Sequence, residues 1–406
     1  MMKNSNQNPK FIIFIVLGML LGGITGAIVG KEIPFIKLLG ELFLNALKMM
    51  IIPLIFSSMI LGVTTIGDTR KLGRLGGFTI LYYLITTLVA VTTGIILVNL
   101  IKPGVGISFE LSQTISDQNY SFLDVIRGII PENIVESMSN GDILPIIFFA
   151  LFFGIVMNLV GEKAKPVGAF FEGVFEISMK MTHYIILFAP IGIFGLVATR
   201  LGAAGGWFAF KDELVGLGFY SVTVIGGLSI HAFVTLPLIL WTLGRRSPIK
   251  YLKSMSDALF TAFSTASSSA TLPLTLSCTE KAKVNRSTSG FVLPLGATVN
   301  MDGTALYEAV AAIFIAQLYG IEITFVQQVI IVLTATLAAI GAAGIPQAGL
   351  VTMIIVLKTV GLPIEGIGAI LAIDWFLDRI RTTVNVWGDS IGAAVIDKLM
   401  MKNGFK

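Results

Sequence analysis

The chain has 406 residues, 55% of them hydrophobic and only 13% charged, with a formal net charge of +4. Soluble domains carry about a quarter charged residues, so this balance excludes an ordinary soluble protein and indicates an integral membrane protein. The single cysteine, Cys278, excludes an intrachain disulfide and argues against a cysteine metal site.

Apolar runs long enough to cross a hydrocarbon core of about 30 Å recur along the chain. They predict eight spans, near 11–30, 35–66, 77–101, 143–160, 167–199, 210–243, 288–318 and 364–395. The polar Met1–Lys10 leader before the first run predicts a retained span, not a cleaved signal. Two further apolar segments, about 251–279 and 325–360, are interrupted near their middles by Ser, Gly and Pro. Basic residues cluster at Lys3/Lys10, Arg70/Lys71/Arg74, Lys163/Lys165, Arg245/Arg246/Lys250/Lys253, Lys281/Lys283/Arg286 and Lys398/Lys402/Lys406. Lys and Arg favour the cytoplasmic side, which puts both termini inside. The two broken segments must then enter and leave on one side each, as re-entrant hairpins, the first from inside and the second from outside. Lys31 and Lys37 fall outside, against the trend, and the acidic loop 103–142 suits the outer face.

In span one, Gly18, Gly22, Gly26 and Gly30 share a helix face that allows close packing. In span two, Pro53 implies a kink, and Lys48 snorkels or pairs. Span three places the hydroxyls of Tyr83, Thr86 and Thr87 on one face. Membrane threonines usually bond back to their own helix, but oxygen donors also suit a hard alkali cation. The loop 103–142 has little regular pattern beyond a short helix near 121–129. Pro190 predicts a kink in the fifth span. His183 and His231 stand alone, without a second histidine for a metal pair, and are expected as core or interface residues.

The first broken segment centres on Ser264–Pro273, a hydroxyl-rich run whose free amides would suit a carboxylate. No histidine or lysine lies nearby to activate a serine, which argues against a hydrolase. Span seven holds Asn300-Met301-Asp302-Gly303-Thr304. Such a run predicts local unwinding that presents carbonyls and a carboxylate to sodium. Glu308 lies one turn beyond Thr304. Desolvation disfavours a charged buried acid, making Glu308 a candidate proton carrier, with a packing role as the competing reading. The second broken segment centres on Ala339–Gly349. A broken segment followed by a polar span thus occurs twice, entering from opposite sides, which is the inverted-repeat pattern of secondary transporters.

The last span is the most informative. Asp374, Asp378, Arg381, Asn385 and Asp389 step by four, three, four and four, so they share one helical face. An ionised side chain at mid-bilayer costs roughly 2.5–3.5 kcal/mol, so such groups face a partner or a wet cavity. An ion-pair ladder that merely locks helices needs fewer polar positions.

Ser267–Pro273, Asn300–Thr304, Gly341–Pro346 and Asp374–Asp389, in this order over essentially the whole chain, resemble the glutamate transporter family, the dicarboxylate/amino acid:cation symporters. The resemblance implies an all-α polytopic membrane protein with eight transmembrane helices, two re-entrant helical hairpins, inverted repeats and an elevator-type mechanism. It implies a homotrimer whose scaffold comprises 1–74 and 103–205 and whose transport domain comprises 75–102 and 206–406. For the substrate it implies Asp378 and Thr382 at the amino group, and Arg381 and Thr304 at the side-chain carboxylate. Asn385 and the backbone near Ser268 would hold the α-carboxylate, with Ile345 and Gly349 closing over it. For sodium it implies Gly296, Asn300, Asn385 and Asp389 at one site, and Tyr83, Thr86, Thr87, Asn300 and Asp302 at another. A third would use Thr298 and carbonyls around Ala339–Ala342, where archaeal relatives carry hydroxyls. Glu308 and Arg379 follow the animal pattern, while Ala266 stands where archaeal members have arginine. The implied activity is sodium-coupled import of L-glutamate or L-aspartate with proton co-transport through Glu308, leaving room for potassium counter-transport. The expected partners are the amino acid, membrane lipid and further copies of the chain, not nucleic acid. The expected location is a bacterial inner membrane. Rival readings are a purely proton-coupled glutamate/aspartate or C4-dicarboxylate carrier and, in another class, an ion channel.

Overall fold

The computed structural model describes residues 9–64, 69–106, 129–203, 207–341 and 348–402. The described residues are helical or connecting, without a strand. In chain order the helices are α1 (Pro9–Val29), α2 (Pro34–Thr64), α3 (Thr69–Ile101), α4 (Ile134–Asn140), α5 (Ile143–Val160), α6 (Lys165–Leu187), α7 (Ala189–Ala203) and α8 (Trp207–Ile230). They continue with α9 (Leu236–Thr242), α10 (Pro248–Thr265), α11 (Ser268–Lys281), α12 (Arg286–Val299), α13 (Asp302–Leu318), α14 (Phe325–Gly341), α15 (Ala348–Thr359) and α16 (Ile367–Lys402).

Four described segments are long and apolar enough to cross a membrane: Arg74–Ile101, Pro145–Thr182, Val215–Thr242 and Arg286–Leu318. α16 occupies the eighth expected span, but its acidic and basic face interrupts the apolar run. Large apolar side chains such as Ile28, Phe35, Leu159, Phe170 and Phe233 lie exposed on α1, α2, α5, α6 and the turn that follows α8. Lipid tails would cover such a surface without cost, whereas water would not.

Helices α1, α2, α5, α6 and α7 pack chiefly on one another, while α3, α8 and α10–α16 form a second group. The groups meet where α2 touches α14 and α15, α7 touches α16, and α1 touches α8. The deepest element is α13, buried from Asp302 through Ala316. Within the first group, the glycine stripe of α1 lies on the backbone of α7. A Cβ on Gly22 would sit 2.7 Å from the Phe194 carbonyl oxygen, and one on Gly26 would sit 2.7 Å from that of Ala198. Gly30, the fourth member of the stripe, instead ends α1 at φ 60° and has no close neighbour.

Three expected spans are broken in the structure. The fifth is two helices, α6 and α7, parted at Phe188, not one helix with a kink. Pro190 has no N–H and its ring clashes with the preceding turn, so a break relieves both. The sixth carries a π-helical turn, His231–Thr235, between α8 and α9. Pro237 cannot supply the amide that an α-helix would require there, and the chain widens instead. The seventh is interrupted at Asn300 (ψ 89°) and Met301 (ψ 52°), at the point where the sequence predicts unwinding. In the first hairpin, Ala266 turns left-handed at φ 49° and Ser267 is extended, so α10 and α11 fold against each other. α14 and α15 also pack together, and the residues joining them lie outside the described ones. Helix α4 lies inside the segment expected to be irregular, with Asn133 capping the amides of Val135 and Glu136. The short helix expected near 121–129 falls almost wholly outside the described residues, as do the side chains of Lys48 and His183.

Gly22→Ala is expected to lower stability by about 1–3 kcal/mol, since the neighbouring backbone must move. Gly218, with nothing within 4 Å of its Cβ position, should tolerate alanine without loss. Thermal unfolding of both variants in detergent tests the contrast.

Candidate functional site: a buried charged cluster on α16

The polar face predicted on the last span is present and buried. Asp374, Asp378, Arg381, Asn385 and Asp389 are each 7% exposed or less, and Arg381 is fully buried. The Arg381 Nη2 lies 2.9 Å from Asp378 Oδ1 and 3.0 Å from Asp374 Oδ1. The Asp378 contact is a hydrogen bond, whereas the Asp374 contact is an ion pair without hydrogen-bond alignment. The guanidinium also stacks over the Tyr307 ring at 3.9 Å, a cation–π contact. Its Nε and Nη1 have no hydrogen-bond acceptor. A guanidinium carries five donors in a planar fork, so this arginine keeps donor capacity suited to a carboxylate.

Three other elements close around the guanidinium. At the start of α15, a Cβ on Gly349 would lie 2.8 Å from Arg381 Nη1 and 3.4 Å from Thr304 Cγ2. Only glycine leaves that approach open. At the start of α13, the Gly303 amide donates to Asn385 Oδ1 at 2.8 Å, and Asn385 Nδ2 donates to Thr304 Oγ1 at 3.3 Å. Arg379, two residues before Arg381, points elsewhere. Its Nη1 donates to the carbonyls of Phe263 and Ser264 at 3.0 and 2.7 Å. It thereby ties α16 to the C-terminal end of α10, where a cation also suits the helix dipole. Ser268 is buried in the first turn of α11, behind the Ser267 cap, and α11 packs against α16. Thr382 is buried beside Arg381 on the same helix.

A second polar cluster lies where α3, α12, α13 and α16 meet. Asp302 Oδ1 accepts from Thr87 Oγ1 at 2.6 Å and from Thr86 Oγ1 at 3.3 Å. Asn300 Nδ2 donates to Asp389 Oδ1 at 2.9 Å, and Thr86 Oγ1 lies 3.5 Å from Asn300 Oδ1. A Cβ on Gly296 would collide with Asp389 Oδ1 and the Tyr83 hydroxyl, at 2.5 and 2.6 Å. These oxygens form a compact donor set of the kind hard cations take.

One member joins differently from expectation. The Tyr83 hydroxyl donates to the Val292 carbonyl at 2.7 Å, so it is not free to face Asp302. The Tyr83 carbonyl, however, accepts from Thr86 Oγ1 at 3.1 Å and therefore borders the cluster. Thr298 bonds back to Leu295, and Ala339 is buried on α14. Ala342 and Ile345 lie outside the described residues.

Glu308 is fully buried on α13, and one of its oxygens accepts a hydrogen bond from Thr352 of α15. Its Oε2 has no partner. Three contributors were not singled out from sequence: Thr352, Tyr307 and the pairing of His231 with Asp302. None carries a spacing signal, because each partner lies on a different helix.

Comparisons with known proteins give the family. Residues 11–399 match the model of the sodium:dicarboxylate symporter family. Excitatory amino acid transporter 3 of Oryctolagus cuniculus and that of Homo sapiens are each 39% identical, covering 98% of this chain and 86% of the relative. An excitatory amino acid transporter of Caenorhabditis elegans is 39% identical over 95% of this chain and 86% of its own length. These relatives are animal proteins and lend no support to a bacterial inner membrane. The family consists of multi-pass membrane transporters, not enzymes. With nearly its whole length matched, this chain belongs to the sodium:dicarboxylate symporter family.

Proposed function

We propose that this protein imports acidic amino acids, L-glutamate or L-aspartate, coupled to sodium and to a proton carried by Glu308. The observation that carries the reading is Arg381, fully buried, beside two aspartates, with two nitrogens lacking an acceptor. An amino acid with two carboxylates and one ammonium complements this set. Its side-chain carboxylate takes the guanidinium fork, with Thr304 adjacent. Its ammonium takes Asp378, helped by Thr382. Its α-carboxylate lies toward Asn385 and the backbone at Ser268, and the segment from Ile345 to Gly349 closes over it.

Sodium is assigned to the oxygen clusters. Gly296, Asn300, Asn385 and Asp389 make one site. Thr86, Thr87, Asn300, Asp302 and the Tyr83 carbonyl make another. Thr298 and the backbone at Ala339 and Ala342 make a third. A carrier coupled only to protons would leave the Thr87–Asp302–Thr86 cluster without a role. Ordinary packing rarely buries an acid with this many oxygens around it.

In the same reading, eight helices cross the membrane and the hairpins α10–α11 and α14–α15 are re-entrant. Both termini are cytoplasmic and three copies assemble. The group α1, α2 and α5–α7 is the static scaffold. The group α3 and α8–α16 moves as an elevator, with α14–α15 as its gate. Arg379 fastens the first hairpin to α16 during that movement. Potassium returning on the empty carrier is compatible with the same acids.

Arg381→Cys is expected to weaken glutamate and aspartate binding at least about 100-fold, since a buried charge-assisted interaction is worth roughly 3 kcal/mol or more. Calorimetric titration in sodium and in choline buffer measures this. Retained aspartate affinity in the variant would refute the role of Arg381.

Wild-type uptake should fall as external pH rises, because loading requires protonated Glu308. Glu308→Gln, permanently neutral, should give uptake or exchange that is flat with pH while sodium-dependent binding persists. An unchanged pH profile would remove Glu308 from the proton path.

A further inference from the structure

His231 is fully buried, and its Nε2 lies 3.1 Å from Asp302 Oδ2, which is also fully buried. A carboxylate that binds sodium is ionised and only accepts hydrogen bonds, so in the sodium-ligand reading of Asp302 Nε2 is the donor. The ring's other nitrogen, Nδ1, has no partner, so this one bond is the ring's whole polar role. The opposite carboxylate oxygen, Oδ1, takes the hydroxyls of Thr86 and Thr87. The two oxygens of Asp302 are thus held from opposite sides.

The backbone at His231 is also unusual. A π-helical turn begins at this residue, and the carbonyl of Ala232 accepts from Trp387 Nε1 of α16 at 3.0 Å. A π turn inserts one residue and rotates the downstream helix by about 100°, and such turns concentrate at functional sites. Here the turn is pinned to the helix that carries Asn385 and Asp389. Gly388 of that helix leaves room for the arrangement: a Cβ there would lie 3.2 Å from both Asp302 Oδ2 and Asn300 Nδ2.

We propose that His231 is a positioning residue for the sodium site: by holding Oδ2 of Asp302, it aims Oδ1 at the space bounded by Thr86, Thr87 and Asn300. The proposal rests on the reading of Asp302 as a sodium ligand. Partners that orient a metal-binding carboxylate typically contribute about 10–100-fold to metal affinity. The ring does this as a fixed hydrogen-bond donor.

The test uses the full-length protein at one fixed pH. Its readouts are sodium-dependent thermal stabilisation without substrate and aspartate binding at graded sodium. His231→Leu, which removes the donor, should need about tenfold more sodium for half-maximal effect. At saturating sodium, its aspartate affinity should approach that of the parent. His231→Gln, whose amide nitrogen reaches close to the Nε2 position, should restore most of the sodium affinity. If the leucine variant does not fold, His231→Asn takes its place, because its shorter amide cannot reach Asp302. Parent-like sodium dependence in the leucine or asparagine variant would overturn the proposal. So would a glutamine variant as impaired as leucine. Asp302→Asn separates the two levels. If its sodium dependence is unchanged, the site reading fails and this proposal with it. If Asp302→Asn loses sodium response while His231→Leu does not, only the role of His231 fails.

Discussion

A guanidinium with no exposure, inside a helical bundle, is the constraint around which the rest is arranged. Removing such a charge from water without compensation would cost several kcal/mol, so Arg381 must be paired. Asp374 and Asp378 supply the pairing at 3.0 and 2.9 Å. Tyr307 supplies a ring face below, and Gly349 lets α15 approach closely. The break at Asn300–Met301 serves the neighbouring polar cluster. It frees backbone and side-chain groups of α12 and α13 to meet Asn385 and Asp389 at the depth where a continuous helix would present only apolar side chains. Broken backbone is tolerated there because it is buried in protein, away from lipid.

Much of this was legible because membrane helices are long and their periodicity is strict. The span read at 143–160 coincides with α5, and the five-residue polar ladder of α16 is buried on one face as its spacing required. The glycine stripe of α1 predicted a close neighbour, and α7 is that neighbour. Asn, Asp, Gly and Thr in succession predicted the break before α13, since each weakens a helix for a local reason.

The features that stayed hidden depended on distance in sequence or on backbone detail. His231 and Asp302 lie 71 residues apart, and a lone histidine in an apolar helix gives no hint of its partner. Thr352 and Glu308 are separated by 44 residues and by a hairpin. Helical periodicity placed Tyr83 correctly on the face of Thr86 and Thr87, but periodicity speaks of side chains. It could not foresee that the hydroxyl turns to Val292 while the carbonyl borders the cluster. Proline at 190 signalled distortion, yet whether a helix kinks, breaks or widens depends on its packing neighbours, and the widening before Pro237 was not read at all. The short α4 was missed because a seven-residue helix held by an asparagine cap has too few turns to show a period.

The distribution of charge also connects binding to coupling. Among the described residues, five buried acids (Asp302, Glu308, Asp374, Asp378 and Asp389) share the interior with a single buried arginine, Arg381, which pairs with two of them, Asp374 and Asp378. The remaining buried acid, Asp397, pairs with Arg246 at the far end of α16. Five carboxylates in one apolar region cannot all ionise without companion cations, because like charges there are poorly screened. Adding an acidic amino acid brings a further net negative charge. Arg381 can balance one carboxylate, but it is already shared between two aspartates. In the proposed reading, the remaining compensation comes from mobile cations that enter with the substrate. In that reading the oxygen clusters at Asp302 and Asp389 take sodium, and Glu308, with one oxygen unpartnered, takes a proton. On this argument ion coupling is not an addition to the binding site: a surplus of buried acids around one arginine makes an anionic substrate unfavourable alone and acceptable with cations.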